Sequence, residues 1–403
     1  MRVSRVEATA LAIPLEQEFH WSGGAQRGAN LVLFSVHTDD GIVGYGESIC
    51  EDPVAVASYG LLMAQHFVGH DLANVEAMLR GVWTQGRWSF WPQFTQLTVS
   101  GIEVACWDAL GRTLGVPTNT FFGGRVRDEV DYFGFAQGDT AEQLATHAGE
   151  LAALGHEVLY VKLGRSARDD EECVAAIREA IGPDRLLRID PNEAWDVGEA
   201  IERIRRLEQY GLDWVEQPVV AGNVRGLAHI RRSVGTKIAA DQAVFTTSQL
   251  LDVLRNEAAD VIVQGSHDAG GLLRFRQQAT IADAHGVNVN RHAFMETEVS
   301  FLANLQVAST IPNLTTGNQA MHQLLAERLV KPPLPLFAGG RAPVPTTPGH
   351  GFEIDLDAVG IAHERWERDG PYPSLEHSRP GGFRVGFALE RETGPFVPHA
   401  EGT

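Results

Sequence analysis

Lysine is nearly missing from this chain: Lys162, Lys237 and Lys331 are the only three in 403 residues. With arginine included, 33 basic side chains stand against 52 acidic ones, a net charge of −19. That balance disfavours a nucleic acid or an anionic membrane as partner, because both need a basic footprint. It also means that an anionic small molecule is repelled by the protein as a whole. A site for a carboxylate must then bring local positive charge, which a divalent metal supplies. Cysteine is scarce as well. Cys50, Cys106 and Cys173 are odd in number and far apart, with no C-x-x-C spacing, so they read as reduced thiols rather than a disulfide framework or a zinc site. No apolar run approaches the roughly 20 residues of a membrane span. The opening MRVSRVEATALAIPL lacks the apolar core and cleavage site of a secretion signal. The expectation is a cytoplasmic protein.

What is present is an ordinary globular composition, 44% hydrophobic and 21% charged, at a length that suits about two domains. Arg2–Pro14 and Asn30–Thr38 are strand-like, and the turn signal Asp39-Asp40-Gly41 leads into a third strand at Ile42–Glu47. Helical spacing takes over from about Val54 to Trp83. SGIEVACWDALGRTL (100–114) is a strong amphipathic helix stopped by Gly115 and Pro117. The first 125 residues therefore read as an α+β unit. The rhythm then changes to short apolar runs (VDYFGFA, VLYVKLG, LLRID, DWVE, KIAAD, DVIVQG, VNVNRH) separated by helical stretches. Seven or eight such units imply a closed parallel barrel over about 126–345. No G-x-G-x-x-G follows the first strand to favour a doubly wound sheet. From Lys331 the chain is rich in proline and glycine, like a linker. FEIDLD follows as an expected strand returning to the first unit, and the stretch to Thr403 reads as a loosely organised extension.

Active sites of such barrels lie at the C-terminal ends of the strands. Three acids fall there: Asp190 closes LLRID, Glu216 closes DWVE and Asp241 closes KIAAD, one strand–helix unit apart each. Any one alone is as easily a helix cap or a surface acid. Three in register, with Asn192 and Gln217-Pro218 beside them, converge on one point and require a cation. Hard oxygen ligands with room for water and substrate suit Mg²⁺. Lys162 ends VLYVKLG one strand earlier, where a lysine with a depressed pKa serves as a general base. His292 ends VNVNRH and faces the same bowl from the other side, although a lone strand-end histidine is often structural. Gln264 ends the strand between.

Together these residues resemble the mandelate racemase/muconate lactonizing branch of the enolase superfamily, over nearly the whole chain. TDDGIVGYGES, IEVACWDALGRTLGVP and FFGG resemble its capping domain, and PGHGFEIDLD resembles its return to the cap. The resemblance implies an α/β fold, a modified TIM (β/α)7β barrel with an α+β N-terminal capping domain completed by residues from about 350 to 403. It implies Asp190, Glu216 and Asp241 as Mg²⁺ ligands that clamp a substrate carboxylate and stabilise an enediolate. The family often carries Lys-x-Lys on the second strand. Here Lys162 takes the second, catalytic place and Tyr160 stands at the first. His292 matches a catalytic histidine of the racemase-like subgroup. The aspartate that partners it there is Gly265 here, with His267 and Asp268 nearby.

Cap loops close over the mouth in that family. The corresponding segment is Glu18–Gly24, with His20 and Trp21 as substrate contacts. A second aromatic stretch, Arg87–Phe94 with Trp88 and Trp91, reads more simply as core. The expected activity is proton abstraction alpha to the carboxylate of a small molecule by Lys162, followed by loss of a β-hydroxyl protonated by His292, as in an acid-sugar dehydratase. Tyr160, Asn192, His20, Trp21, Gln264 and Asp268 are the expected substrate contacts. Racemization or epimerization and lactone cycloisomerization share the first step. The alternative outside enzymes is a barrel that binds metal and acid without turnover. A metal-dependent hydrolase is disfavoured because no H-x-H ends the first barrel strand. A homo-oligomer is expected from the resemblance alone.

Overall fold

The computed structural model describes residues 1–22, 24–49, 52–86, 89–332 and 339–373. Cys50, Trp88 and the extension to Thr403 lie outside the described residues. Strands β1 (Val3–Trp21), β2 (Gly24–Thr38) and β3 (Val43–Ile49) form an antiparallel sheet in that order. Its two faces alternate as a strand's side chains must. Val32, Phe34 and Val36 pack into one core cluster, while Leu31 and Leu33 belong to another that includes Phe133, Phe135 and Tyr160. Helices α1 (Pro53–Ala64), α2 (Val75–Gly86) and α3 (Pro92–Leu114) follow. Helix α3 lies directly on β3, and Gly46 explains how. A Cβ there would sit 2.2 Å from the Gly101 carbonyl oxygen, so any side chain would force the helix off the sheet.

After the short β4 (Glu129–Asp131), strands and helices alternate: β5 (Gly134–Ala136), α4 (Ala141–Ala153), β6 (Val158–Lys162), α5 (Ala167–Ile181), β7 (Leu186–Asp190), α6 (Val197–Leu207) and β8 (Leu212–Glu216). Then come α7 (Val224–Ser233), β9 (Lys237–Ala240), α8 (Thr247–Arg255), β10 (Val261–Gln264), the single turn α9 (Ser266–Ala269), α10 (Leu272–Ala284), β11 (Asn288–Arg291) and α11 (Glu298–Ala308). Seven parallel strands run in the order β11-β10-β9-β8-β7-β6-β5. The eighth place is filled by an irregular segment, 314–319. It bridges Val289 of β11 through Leu314 and Tyr132 through Asn318, and Gln319 N–H donates to the Arg291 carbonyl. Local signals set the helix starts: Thr140 with Gln143 and Thr246 with Gln249 are capping boxes on α4 and α8.

Two buried acids of the cap fasten it to barrel helices. Glu47 accepts from the N–H and hydroxyl of Thr297 and from Ser300 N–H at the start of α11. Glu103 accepts from the N–H groups of Leu272 and Leu273 and from Trp107 Nε1, giving α10 the cap that its own Gly271 lacks. Gly271 makes this reach geometrically feasible, because a Cβ there would lie 2.4 Å from the Glu103 carboxyl carbon and φ is +127°. Strand β12 (Arg341–Pro343) pairs with β4.

The FEIDLD segment corrects the expected returning strand. Only Ile354 bridges, to Val330, and Asp355 caps helix α12 (Leu356–Asp369) by accepting from the N–H groups of Asp357 and Ala358. An Asx cap competes with extension at that point. Helix α12 then covers the free edge of β1, with His363 Nδ1 on the Ala10 carbonyl and Arg365 donating to that of Ala12. The Glu18–Gly24 segment is corrected too: it is the tip of the β1–β2 hairpin, paired through Phe19–Gln26, His20–Ala25 and Trp21–Gly24. In the second aromatic stretch, Trp91 is 70% exposed, against the expectation of core, whereas Phe90 and Phe94 pack on Tyr59. Among the described residues no helix is long and apolar enough to cross a membrane.

Candidate active site

Parallel strands of a barrel deliver their last residues to one rim. Asp190 ends β7, Glu216 ends β8, and Asp241 follows β9; each is 2% exposed or less. The backbone just beyond two of them is bent into the left-handed region, at Asn192 (φ 45°), Glu193 (φ 63°) and Gln217 (φ 33°). Non-glycine residues held there are characteristic of functional loops. Gln217 repays the bend by accepting from the N–H groups of Asp241 and Ala243, which fixes the loop carrying the third acid.

The carboxylates share donors. Tyr160 hydroxyl donates to Asp190 Oδ2 at 2.6 Å and to Glu216 Oε1 at 3.0 Å. Lys162 Nζ lies 2.5 Å from Asp190 Oδ2. Gln319 Nε2 donates to both Glu216 oxygens, at 3.0 and 3.1 Å. His292 Nδ1 is 3.0 Å from Asp268 Oδ2 and 3.6 Å from Asp241 Oδ1. Asp268 stands on the turn α9, where its own carboxylate accepts from Gly265 N–H and closes the turn.

Burial and mutual repulsion dominate the electrostatics. Burial, then the charge of Asp190, pushes Glu216 up to about 7. Asp241 is raised well above the ordinary carboxylate range by burial and by Glu216, Asp268 and Asp190, with His292 opposing. Burial works against the imidazolium of His292, but Asp241 and Asp268 outweigh it and raise it to about 9. Two buried acids raised this way, with the Asp190 carboxylate beside them, call for a further cation.

Asp241, Asp268 and His292 bring ligand atoms within 4.8 Å of one another, and they form a second conceivable metal group. A metal requires neutral imidazole. His292 Nδ1 is instead taken up by Asp268 at 3.0 Å and lies 3.6 Å from Asp241, an ion-pair arrangement that accounts for that closeness. The set Asp190, Glu216 and Asp241 fits a hard divalent ion better: all are oxygen donors, and Asp241 Oδ2 and the neighbouring Asn192 Oδ1 are buried with no hydrogen-bond partner.

The other expected site residues fall as follows. The hairpin tip reaches the barrel mouth, where Glu18, His20, Phe135, Gln137, Lys162 and Arg165 line one cleft. His20 Nε2 lies 3.3 Å from both Glu18 and Asp139, and Ser22 hydroxyl donates to the Asn192 carbonyl. Trp21 packs partly buried against the core beneath the tip. Gln264 is buried with its amide on the Val244 carbonyl and Gln278, so its side chain is committed to the core. Gln319 escaped the sequence reading. Its only signal was position in TTGNQA, a segment without strand periodicity.

Comparison with known proteins agrees with this architecture. Residues 5–123 match the mandelate racemase/muconate lactonizing enzyme N-terminal domain, and 143–358 match the enolase C-terminal domain-like family. The chain belongs to the enolase superfamily, in its mandelate racemase/muconate lactonizing branch. It is 28% identical to muconate cycloisomerase 1 of Rhodococcus opacus over 92% of this chain and 99% of that one. It is 29% identical to D-galactarolactone cycloisomerase of Agrobacterium fabrum over 81% and 90%. Among solved structures, a dipeptide epimerase of Enterococcus faecalis with magnesium and dipeptide superposes with a TM-score of 0.82 at 26% identity, covering 88% of this chain and all of that one.

Proposed function

We propose that this protein abstracts the proton alpha to the carboxylate of a hydroxylated acid or its lactone and then expels the β-oxygen. The observation that supports this most is the placement of two different proton-transfer groups, Lys162 and His292, on either side of three buried, converging carboxylates. Asp190, Glu216 and Asp241 would hold Mg²⁺, which when bound supplies positive charge opposite the substrate carboxylate and the charge that develops on it. Lys162 takes the α-proton. It does so as the free amine, becoming the ammonium as the proton arrives, and the contact of Nζ with Asp190 holds the nitrogen at a fixed point on the rim. His292, gripped at Nδ1 by Asp268, presents Nε2 to donate a proton to the departing oxygen. The hairpin tip lowers Glu18 and His20 over Lys162, a polar roof that suits hydroxyl groups better than a hydrocarbon.

A second reading is isomerization, favoured by the relatives: the similar proteins are named cycloisomerases, racemases and epimerases. Acid sugars, their lactones and N-acylamino acids incubated with Mg²⁺ in deuterated water, followed by proton NMR, separate the two. Loss of the α-proton signal with appearance of a 2-keto acid supports elimination of water, and a new ring product moves the assignment to cycloisomerase. Deuterium at the α-carbon with no other change moves the assignment to racemase or epimerase. Silence across the library from a protein that binds Mg²⁺ supports a binding role without turnover.

A further inference from the structure

We infer that Gln319, on the irregular eighth segment of the barrel, is a positioning residue that sets the orientation of Glu216 for the metal and ties it to the strand bearing His292. The inference rests on the metal assignment above. Gln319 is 2% exposed, and every polar group it owns is directed. Its Nε2 reaches across the barrel to both oxygens of Glu216. Its Oε1 accepts from Ala293 N–H, next to His292, at 3.3 Å. Its backbone N–H donates to the Arg291 carbonyl, and its own carbonyl accepts from the Arg291 guanidinium at 2.7 Å. Arg291 is in turn gripped by buried Glu296 at 2.5 Å.

The segment therefore has no freedom to drift, although it lacks regular strand pairing. Glu216 is approached by two neutral donors, Tyr160 from β6 and Gln319 from the eighth place. Neutrality matters here. An amide or a phenol fixes the carboxylate oxygens without cancelling their charge. Partners that orient a metal ligand typically change metal affinity 10–100-fold when removed.

Magnesium titration by isothermal calorimetry on the full chain tests this, with wild type, Gln319→Leu and Gln319→Asn compared. Leucine keeps the bulk and removes the amide; asparagine keeps the amide but is too short to reach. Metal-free melting temperatures are recorded alongside. The expected result is roughly a 10–100-fold rise in the Mg²⁺ dissociation constant for both variants, with α-proton exchange restored by excess Mg²⁺ even where metal-free melting falls. Dissociation constants within twofold of wild type overturn the inference. So does a loss that tracks a fall in metal-free melting and that excess Mg²⁺ does not rescue, because it assigns Gln319 a purely structural role. Failure of the wild type itself to bind Mg²⁺ is a separate outcome, and it overturns the metal assignment on which the inference stands.

Discussion

Replacing Glu103 by alanine should weaken the attachment of cap to barrel, and by an amount that depends on pH. The wild-type carboxyl accepts from Leu272 N–H at 2.8 Å and Trp107 Nε1 at 2.7 Å, both buried, and from the part-buried Leu273 N–H at 3.0 Å. A buried donor left without a partner costs about 1–3 kcal/mol, so stranding the two costs roughly 2–6 kcal/mol, with a smaller addition from Leu273. Against this stands the cost of the charge itself. Burial, only partly offset by those donors, raises Glu103 to about 7 from 4.5. The folded protein holds this proton more tightly than the unfolded chain. The wild type therefore loses stability from this group as pH rises from about 4.5 through about 7, by about 3 kcal/mol in all.

Alanine has no such dependence. The gap between wild type and Glu103→Ala should be widest near pH 5, about 5 kcal/mol, and shrink to about 2 kcal/mol at pH 8. For a chain of this length that narrowing is about 4 °C in melting temperature, readable by scanning calorimetry at one scan rate. Other buried acids shift both proteins alike and cancel in the difference. A gap that stays constant from pH 5 to pH 8, or a variant as stable as wild type at pH 5, would refute the reasoning.

Further outcomes follow from the site and its supports. Asp268→Ala releases Nδ1 of His292 and should lower turnover about 10²–10⁴-fold, the range of a lost general acid, with Mg²⁺ affinity by calorimetry little changed. Arg203 pairs with buried Asp170, which in turn holds the Gly164–Arg165 turn just after Lys162. Arg203→Ala leaves that acid unpaired and should destabilise by about 3 kcal/mol in denaturant titrations; an unchanged midpoint would contradict this. His20→Ala removes the link between hairpin tip and Asp139 and should raise KM for a hydroxylated substrate more than it lowers kcat.

Much of this was legible in the sequence because a barrel strand is short, buried and ends on the rim. Apolar runs located β6 to β11, and their final polar residues located Asp190, Glu216, Asp241, Lys162 and His292 on one rim. Elements governed by tertiary contact were not legible. Segment 314–319 has no alternation to announce it, since it is held by single bridges to Val289 and Tyr132 and by side chains such as Asn318. The FEIDLD pattern alternates like a strand, yet the Asp355 side chain caps a helix there. Asp268 faces His292 only because Gly265 and α9 turn the chain immediately after β10. The pairing that extends the β1–β2 hairpin to Trp21 likewise depends on cross-strand partners rather than on a turn motif.

The central claim is that Lys162 removes a proton alpha to a carboxylate at a Mg²⁺ site built from Asp190, Glu216 and Asp241. The most direct measurement is α-proton exchange in deuterated water by proton NMR, on any acid that the wild type exchanges with Mg²⁺, repeated with Lys162→Ala and with metal chelated. The expected result is that exchange disappears in both cases while Lys162→Ala keeps its fold by circular dichroism. Exchange that persists in Lys162→Ala, or that is indifferent to chelation, would contradict it.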